Sequence, residues 1–278
     1  MIINIIMEEN MLFLAAFFVF TIYFLWFSNN HISISHFFIT SPKVSSDSPL
    51  SIVHISDLHN KCFYPNQYNL VRKIRSLHPD IIVITGDLVD NSQYKNAEIF
   101  VQKISRISTV YYITGNHESM SGNFDELKQI LKQNNIIILD NTSLSFVKGK
   151  NVYSIYGLTD PHFYGYERNY TTLIRKHLDS FTISDKTFNI LLSHRPELFN
   201  LYSSYNFDLV LCGHAHGGQF RLPFIGGLIA PNQGLLPHFS EGLHTCNHTN
   251  EIISRGLGNS IFPFRIFNFP EIISIQIK

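Results

Sequence analysis

Leu209-Val210-Leu211-Cys212-Gly213-His214-Ala215-His216-Gly217-Gly218-Gln219 is the stretch on which the reading of the chain turns. An apolar run, long enough for a buried strand, stops at a glycine and is followed by two histidines two positions apart. On an extended backbone, residues i and i+2 point to the same side, so both imidazoles can face one point in space. The glycines let the backbone turn sharply and come close to a ligand. Neutral imidazole is the commonest side-chain metal ligand, whereas a buried, unpartnered pair of histidines is costly. An isolated His-x-His is more often an ordinary loop pair. Here the decisive fact is that other strands end in the same manner.

Four more apolar runs break into polar residues. Ser51–Ile55 leads to Ser56-Asp57-Leu58-His59, and Asp80–Ile84 leads to Thr85-Gly86-Asp87. Val110–Ile113 leads to Thr114-Gly115-Asn116-His117-Glu118, and Phe188–Leu192 leads to Ser193-His194. Segments with helical spacing, Tyr68–Leu77 and Ala97–Ile107, lie between the first three. Strand, helix, strand at this spacing marks βαβ units and a buried parallel sheet, so the fold class is α/β. Ile136–Leu139, Leu144–Val147 and Val152–Tyr156 read as further strands, as do Glu251–Ser254 and Glu271–Ile277.

In such sheets ligands bind beyond the carboxyl ends of the strands. The residues there are Asp57, His59, Asp87, Asn116, His194, His214 and His216. A cap, a turn or a core histidine explains any one of them, but not all seven together. They offer oxygen and nitrogen donors without thiolate, which suits Mn, Fe or Zn. Seven ligands are too many for one tetrahedral ion and suit two divalent metal ions sharing a carboxylate. Two ions about 3.5–4 Å apart are the usual arrangement for displacement at phosphorus, with an acidified water as nucleophile.

The chain has 278 residues, zero formal net charge and 15% charged residues. No basic stripe is present, so no nucleic acid is expected as a partner. Three cysteines, Cys62, Cys212 and Cys246, with no Cys-x-x-Cys, imply neither a disulfide framework nor a cysteine zinc site. Met11–Phe27 is apolar except for Thr21, with Tyr23 and Trp26 towards its downstream end. As a helix it is about 25 Å long, near the lower limit for crossing a hydrocarbon core. The absence of Lys or Arg upstream and of a small-x-small site downstream favours an uncleaved anchor over a signal peptide. Residues 1–31 are therefore expected to be a membrane anchor and linker, and residues 32–278 the catalytic domain. Lys43 set against Glu8 and Glu9 leans weakly towards a cytoplasmic domain and leaves the side of the membrane open.

The series Asp57-Leu58-His59, Gly86-Asp87, Gly115-Asn116-His117-Glu118, His194 and Gly213-His214-Ala215-His216 resembles the calcineurin-like metallophosphoesterase superfamily. Ser193–Glu197, Gly217–Pro223 and Ser254–Ser260 are similar to a bacterial membrane-associated branch related to UDP-2,3-diacylglucosamine pyrophosphatases of lipid A synthesis. The resemblance implies a four-layer α/β/β/α sandwich with the metals at one edge. By its pattern Asp57, His59 and His216 hold a first ion, Asn116, His194 and His214 a second, and Asp87 bridges them. His117 lies beside the metals as the acid for the leaving oxygen, and Glu118 is the second catalytic position. The implied activity is hydrolysis of a phosphoester or pyrophosphate in a small or lipid-linked substrate. A nuclease or cyclic-nucleotide-type phosphodiesterase, or a non-catalytic scaffold, is the alternative. With no large cap insertion, selectivity falls to short loops such as 160–168 and 231–240. Arg195, Arg221 and Arg255 are candidates to hold a second phosphate, with a structural role favoured for each.

Overall fold

Two mixed sheets lie face to face in the computed structural model, which describes residues 2–90, 94–165, 170–259 and 262–278, with side chains from residue 10 onward. In chain order the elements begin with α1 (Ile2–Asn30), β1 (Ser33–Ile39), β2 (Leu50–Ile55), α2 (Tyr68–Ser76) and β3 (Ile81–Thr85). Then come α3 (Lys95–Ile104), β4 (Thr109–Ile113), α4 (Asn116–Met120), α5 (Phe124–Gln133) and β5 (Ile137–Ile138). The second half holds β6 (Thr142–Lys148), β7 (Asn151–Gly157), α6 (Thr171–Asp179), β8 (Phe188–Leu192), α7 (Phe199–Tyr202) and β9 (Leu209–Cys212). Two small hairpins follow, β10 (Arg221–Leu222) with β11 (Gly226–Gly227), and β12 (Ile229–Ala230) with β13 (Gly234–Leu235). The chain closes with β14 (Gly242–Cys246), β15 (Thr249–Ile253) and β16 (Glu271–Ile277).

The first sheet has the order β1-β16-β2-β3-β4-β5, the second β14-β15-β9-β8-β7-β6. Within them β2, β3, β4 and β5 run parallel, and so do β7, β8, β9 and β15. These strands are apolar on both faces because both faces are covered, and the period of two divides their side chains between two cores. Ile52, Ile81, Val83, Tyr111 and Ile113 face Ile155, Phe188, Ile190, Leu209 and Leu211 across the space between the sheets. Their neighbours Val53, Ile55, Ile82, Ile84 and Tyr112 point the other way, onto Leu70, Phe100, Val101 and Leu127 of α2, α3 and α5. On the far side Leu191, Val210 and Ile253 pack on Ile174, Leu178 and Tyr202 of α6 and α7. The result is four layers, α/β/β/α, with the polar ends of β2, β3, β4, β8 and β9 brought to one edge.

Several elements differ from the sequence expectation. The apolar run is part of a longer helix, reaching Asn30 because Asn29 and Asn30 donate from their side-chain amides to Leu25 O and Trp26 O at 2.9 and 2.7 Å. Residues 10–30 form the one helix among the described residues that is long and apolar enough to cross a membrane. The strand expected over 136–139 shortens to two residues, β5. The hairpins β10 to β13 escaped the sequence reading, since two-residue strands show no period, and so did the five-residue strand β14. Of the loop 160–168, the described part is the turn Pro161–Tyr164 and Gly165; Arg168 lies outside the described residues.

Phe100 is wholly buried between α3 and the first sheet. Phe100→Ala should cost about 3–5 kcal/mol through lost transfer energy and an unfilled cavity. Urea denaturation followed by circular dichroism measures it, and a loss below about 1 kcal/mol would contradict this packing.

Candidate metal centre

The polar ends of the strands do not continue as ordinary turns. Asp57, His59, Asp87, His214 and His216 all have positive φ, between 48° and 68°. For residues with a Cβ this left-handed backbone costs on the order of 1–3 kcal/mol each, and it persists where the surroundings impose it. Here backbone bonds between the loops do so: Asp57 N donates to Gly86 O at 3.1 Å, and His59 N to Asp87 O at 3.0 Å. Glycines let the loops approach. A Cβ on Gly86, itself at φ 87°, would run into the backbone of Gly115 and into His194 Nδ1; one on Gly213 would strike Ser56 Oγ and Asp57 Oδ2.

All seven residues singled out from the sequence meet at this edge, from both sheets. Donor atoms of Asp57, His59, Asp87 and His216 lie within 4.8 Å of one another, and so do those of Asp87, His194 and His214. Asp87 is common to the two sets. Its Oδ1 accepts from His117 N at 2.9 Å. Its Oδ2 lies 3.7 Å from His59 Nε2 on one side and 3.2 Å from His194 Nε2 on the other. Two imidazole pairs flank it, His59 with His216 at a centroid separation of 5.0 Å and His194 with His214 at 4.8 Å. Asn116 opens α4 and lines the same cavity, with its Oδ1 buried.

The electrostatics favour a cation. Asn116 Oδ1 and His194 Nε2 are buried and make no hydrogen bond, an expensive state for polar atoms. His194 donates from Nδ1 to Thr85 O at 2.7 Å, so Nε2 is the atom turned towards Asp87. Burial opposes charge on both groups, yet His194 holds the Asp87 carboxyl well below its usual range, and Asp87 lifts His194 to about 10. His214 and His216 are held well below the usual imidazole range, first by burial and then by Arg195 beside His214 and His59 beside His216. They are therefore neutral, the form that ligates metal. Buried carboxylates, neutral imidazoles and an unpartnered amide oxygen fit divalent cations.

Other sequence-derived residues fall elsewhere. Glu118 does not reach the cavity. It is fully buried, and its carboxylate accepts from Gly115 N, Asp87 N and Leu88 N at 2.7, 3.0 and 2.6 Å. Its assignment as a catalytic group is corrected to a positioning one, because α4 begins by turning this side chain back under the β3 and β4 loops. Arg195 lines the cavity, held by Asp160 through Nε at 2.6 Å and Nη2 at 2.8 Å. Arg221 and Arg255 pair instead with Glu241, and Arg255 also with Glu271.

Three residues at the site went unread in the sequence. Asp90 Oδ1 hydrogen-bonds Nδ1 of His59 at 3.2 Å and lies 2.8 Å from Nδ1 of His117; only its place three residues after Asp87 could have marked it. Asp160 is the anchor of Arg195. Asn232, in the turn between β12 and β13, places its Oδ1 at 3.1 Å from His214 Nε2 and accepts from Arg195 Nη1 at 3.2 Å.

Residues 50–218 match the calcineurin-like phosphoesterase family. The uncharacterized metallophosphoesterase YkuE of Bacillus subtilis is 29% identical over 240 residues, covering 82% of this chain and 78% of the relative. The uncharacterized metallophosphoesterase Cj0846 of Campylobacter jejuni is 31% identical over 245 residues, covering 85% of this chain and 61% of its own length. A solved structure, TT1561 of Thermus thermophilus, superposes with a TM-score of 0.49 at 12% identity, over 75% of this chain and 90% of that one. The chain belongs to the calcineurin-like phosphoesterase family. Family and buried cluster together define a metal-dependent phosphoester hydrolase.

Asp90→Asn should weaken divalent metal binding about 10–100-fold, because it loosens the orientation of His59. Calorimetric titration with Mn or Zn measures it; unchanged affinity would remove Asp90 from this role. Glu118→Gln should cost about 1–3 kcal/mol in urea denaturation, since an amide NH₂ then confronts buried N–H donors. A neutral result would mean that the loops do not depend on the brace.

Proposed function

We propose that the chain hydrolyses a phosphoester or pyrophosphate bond using two divalent cations, at the surface of a membrane crossed by α1. The observation that carries this reading is the fork at Asp87, one carboxylate between two sets of donors. Asp57, His59 and His216 would hold one cation, Asn116, His194 and His214 the other, with Asp87 between. When bound, such a pair supplies Lewis-acid neutralisation of the phosphoryl oxygens and a water acidified to near neutrality.

The chain's own residues do the rest. Asp90 Oδ1 lies 2.8 Å from His117 Nδ1, a charge partner for the ring, whose Nε2 is at the cavity, 4.0 Å from Asp87 Oδ2. His117 is partly exposed there and, as the imidazolium, can pass its Nε2 proton to the leaving oxygen as the ester bond breaks, itself becoming neutral, typically a 10²–10⁴-fold effect. Arg195, held by Asp160 and with Nη1 2.9 Å from His214 Nε2 and 3.2 Å from Asn232 Oδ1, lines the cavity and would bring positive charge to a non-bridging oxygen of the substrate. The cavity is about 470 Å³, room for a phosphoryl group with a modest substituent. Arg195 is the one Lys or Arg lining it among the described residues, which disfavours the nuclease reading, because a polyanion needs clustered cations. A lipid-linked substrate of the UDP-2,3-diacylglucosamine kind rests on the sequence resemblance and on the apolar helix.

Full-length protein loaded with Mn should hydrolyse bis(p-nitrophenyl) phosphate and lose that activity after EDTA treatment. His117→Ala should lower kcat by about 10²–10⁴ while metal content, measured by mass spectrometry, stays unchanged. Metal-loaded protein that turns over no aryl monoester, diester or nucleoside diphosphate conjugate would overturn the reading.

A further inference from the structure

The domain meets its apolar helix through a continuous aromatic seam. Phe24 packs on Phe267 at a centroid distance of 5.4 Å, and Phe27 on Phe269 at 5.7 Å. Asn29 is gripped from two sides, Lys61 Nζ donating to its carbonyl at 2.5 Å and Asn259 Nδ2 to its Oδ1 at 2.9 Å. From Phe267 the apolar surface passes on to the small hairpins: Phe262 lies against Phe220 at 5.2 Å, and Phe220 pairs with Ile266. Backbone bonds from Leu228 N to Phe220 O and from Leu236 N to Leu228 O, 2.9 and 2.8 Å, tie the two hairpins together.

These hairpins point large apolar side chains at solvent. Phe224 is fully exposed, Leu235 is 80% exposed, and Ile225, Leu236 and Phe267 exceed half. Phe224, Leu236 and Phe267 have φ of 68°, 52° and 51°, a backbone that Gly, Asn or Asp adopts at least cost. Strain and exposed apolar area thus coincide, at a place where polar turn residues would remove both. From Leu222 to Ser240, nineteen consecutive residues, there is no Asp, Glu, Lys or Arg, although 15% of the chain is charged. An apolar surface of this kind marks a place that something covers. What covers it follows from its continuity with α1: the surface starts where a helix able to cross a membrane enters the domain. One of the hairpins also walls the cavity, since the β12–β13 turn carries Pro231 and Asn232 into it.

We propose that the face running from Phe267 to the tips of the two hairpins is seated in the interfacial layer of the bilayer crossed by α1, so that the cavity takes a lipid phosphoester whose apolar chains stay in that bilayer. The proposal deepens the reading above and rests on α1 spanning the membrane. Phe224, Ile225, Leu235 and Leu236 enter the headgroup–acyl boundary without desolvating any formal charge. A phosphate at the depth of the headgroups then reaches Asp87 and Arg195 past the β12–β13 wall, with no need for the lipid to leave its leaflet.

The test uses the full chain reconstituted into vesicles of phosphatidylcholine and phosphatidylglycerol. Trp26 is the sole tryptophan, so a Trp26→Phe background carries single reporters at Phe224→Trp, Leu235→Trp and Val147→Trp. Val147, 68% exposed on β6, sits at the opposite edge of the second sheet from β14 and serves as the control. Lipids brominated along the acyl chain should quench the reporters at 224 and 235 by about twofold or more and leave 147 unaffected. Equal quenching at all three positions would overturn the proposal. So would a blue-shifted, unquenched signal at 224, which would show a protein covering the face. In a second arm, Phe224→Ser with Leu235→Ser should slow hydrolysis of vesicle-embedded p-nitrophenyl hexadecyl phosphate about tenfold and spare soluble bis(p-nitrophenyl) phosphate. Equal effects on the two substrates would also overturn it. Quenching needs no turnover, so the docking is decided even where the phosphoesterase reading fails.

Discussion

One buried carboxylate, Asp87, is the constraint on which the edge of the molecule closes. It stands, in a backbone conformation it would not choose, two residues beyond β3, a strand whose one polar member is its last residue, Thr85. Three other segments meet it there. Glu118 takes its N–H from below, the His117 N–H in the first turn of α4 donates to its Oδ1, and imidazoles from both sheets crowd its Oδ2. Burying a carboxylate is unfavourable unless positive charge and donors surround it, and here they are drawn from residues far apart in sequence. The packing of the two sheets and the assembly of the donors are thus one problem. The sheets must align for Thr85 to receive His194, and once they do, the donors are in place.

The glycines and the strained loops belong to the same account. Gly86 and Gly213 leave room where the loops of one sheet press on those of the other. Five donors held at positive φ show that local preference is overruled at this edge. Arg195 adds a separate clamp, locking the β8 loop to Asp160 after β7 and reaching His214 and, in the small hairpins, Asn232.

Much of this was legible in the sequence because buried parallel strands are written as uninterrupted apolar runs. Asp57, His194 and His214 stand out because each lies two residues beyond the end of such a run. Helices α2 and α3 announced themselves by period. What remained hidden was relational. Asp90 has no signature of its own; it matters because the rings of His59 and His117 turn towards it. Glu118 sits inside a motif of reactive residues, and nothing in its neighbours reveals that its side chain points back at the backbone. Asp160 and Arg195 are thirty-five positions apart, and their pairing is a product of the fold. The loop 231–240 was marked for selectivity by the sequence, but the hairpins over 221–235 are too short to carry a pattern, and so Asn232 itself was not singled out.

Only residues 31 and 32 separate α1 from β1, and β1 is zipped to β16 along its whole length. There is no leash. With α1 in a bilayer, as proposed above, whatever grips the helix would also set the height and tilt of the pocket, and the site would meet only material that drifts to it within two dimensions.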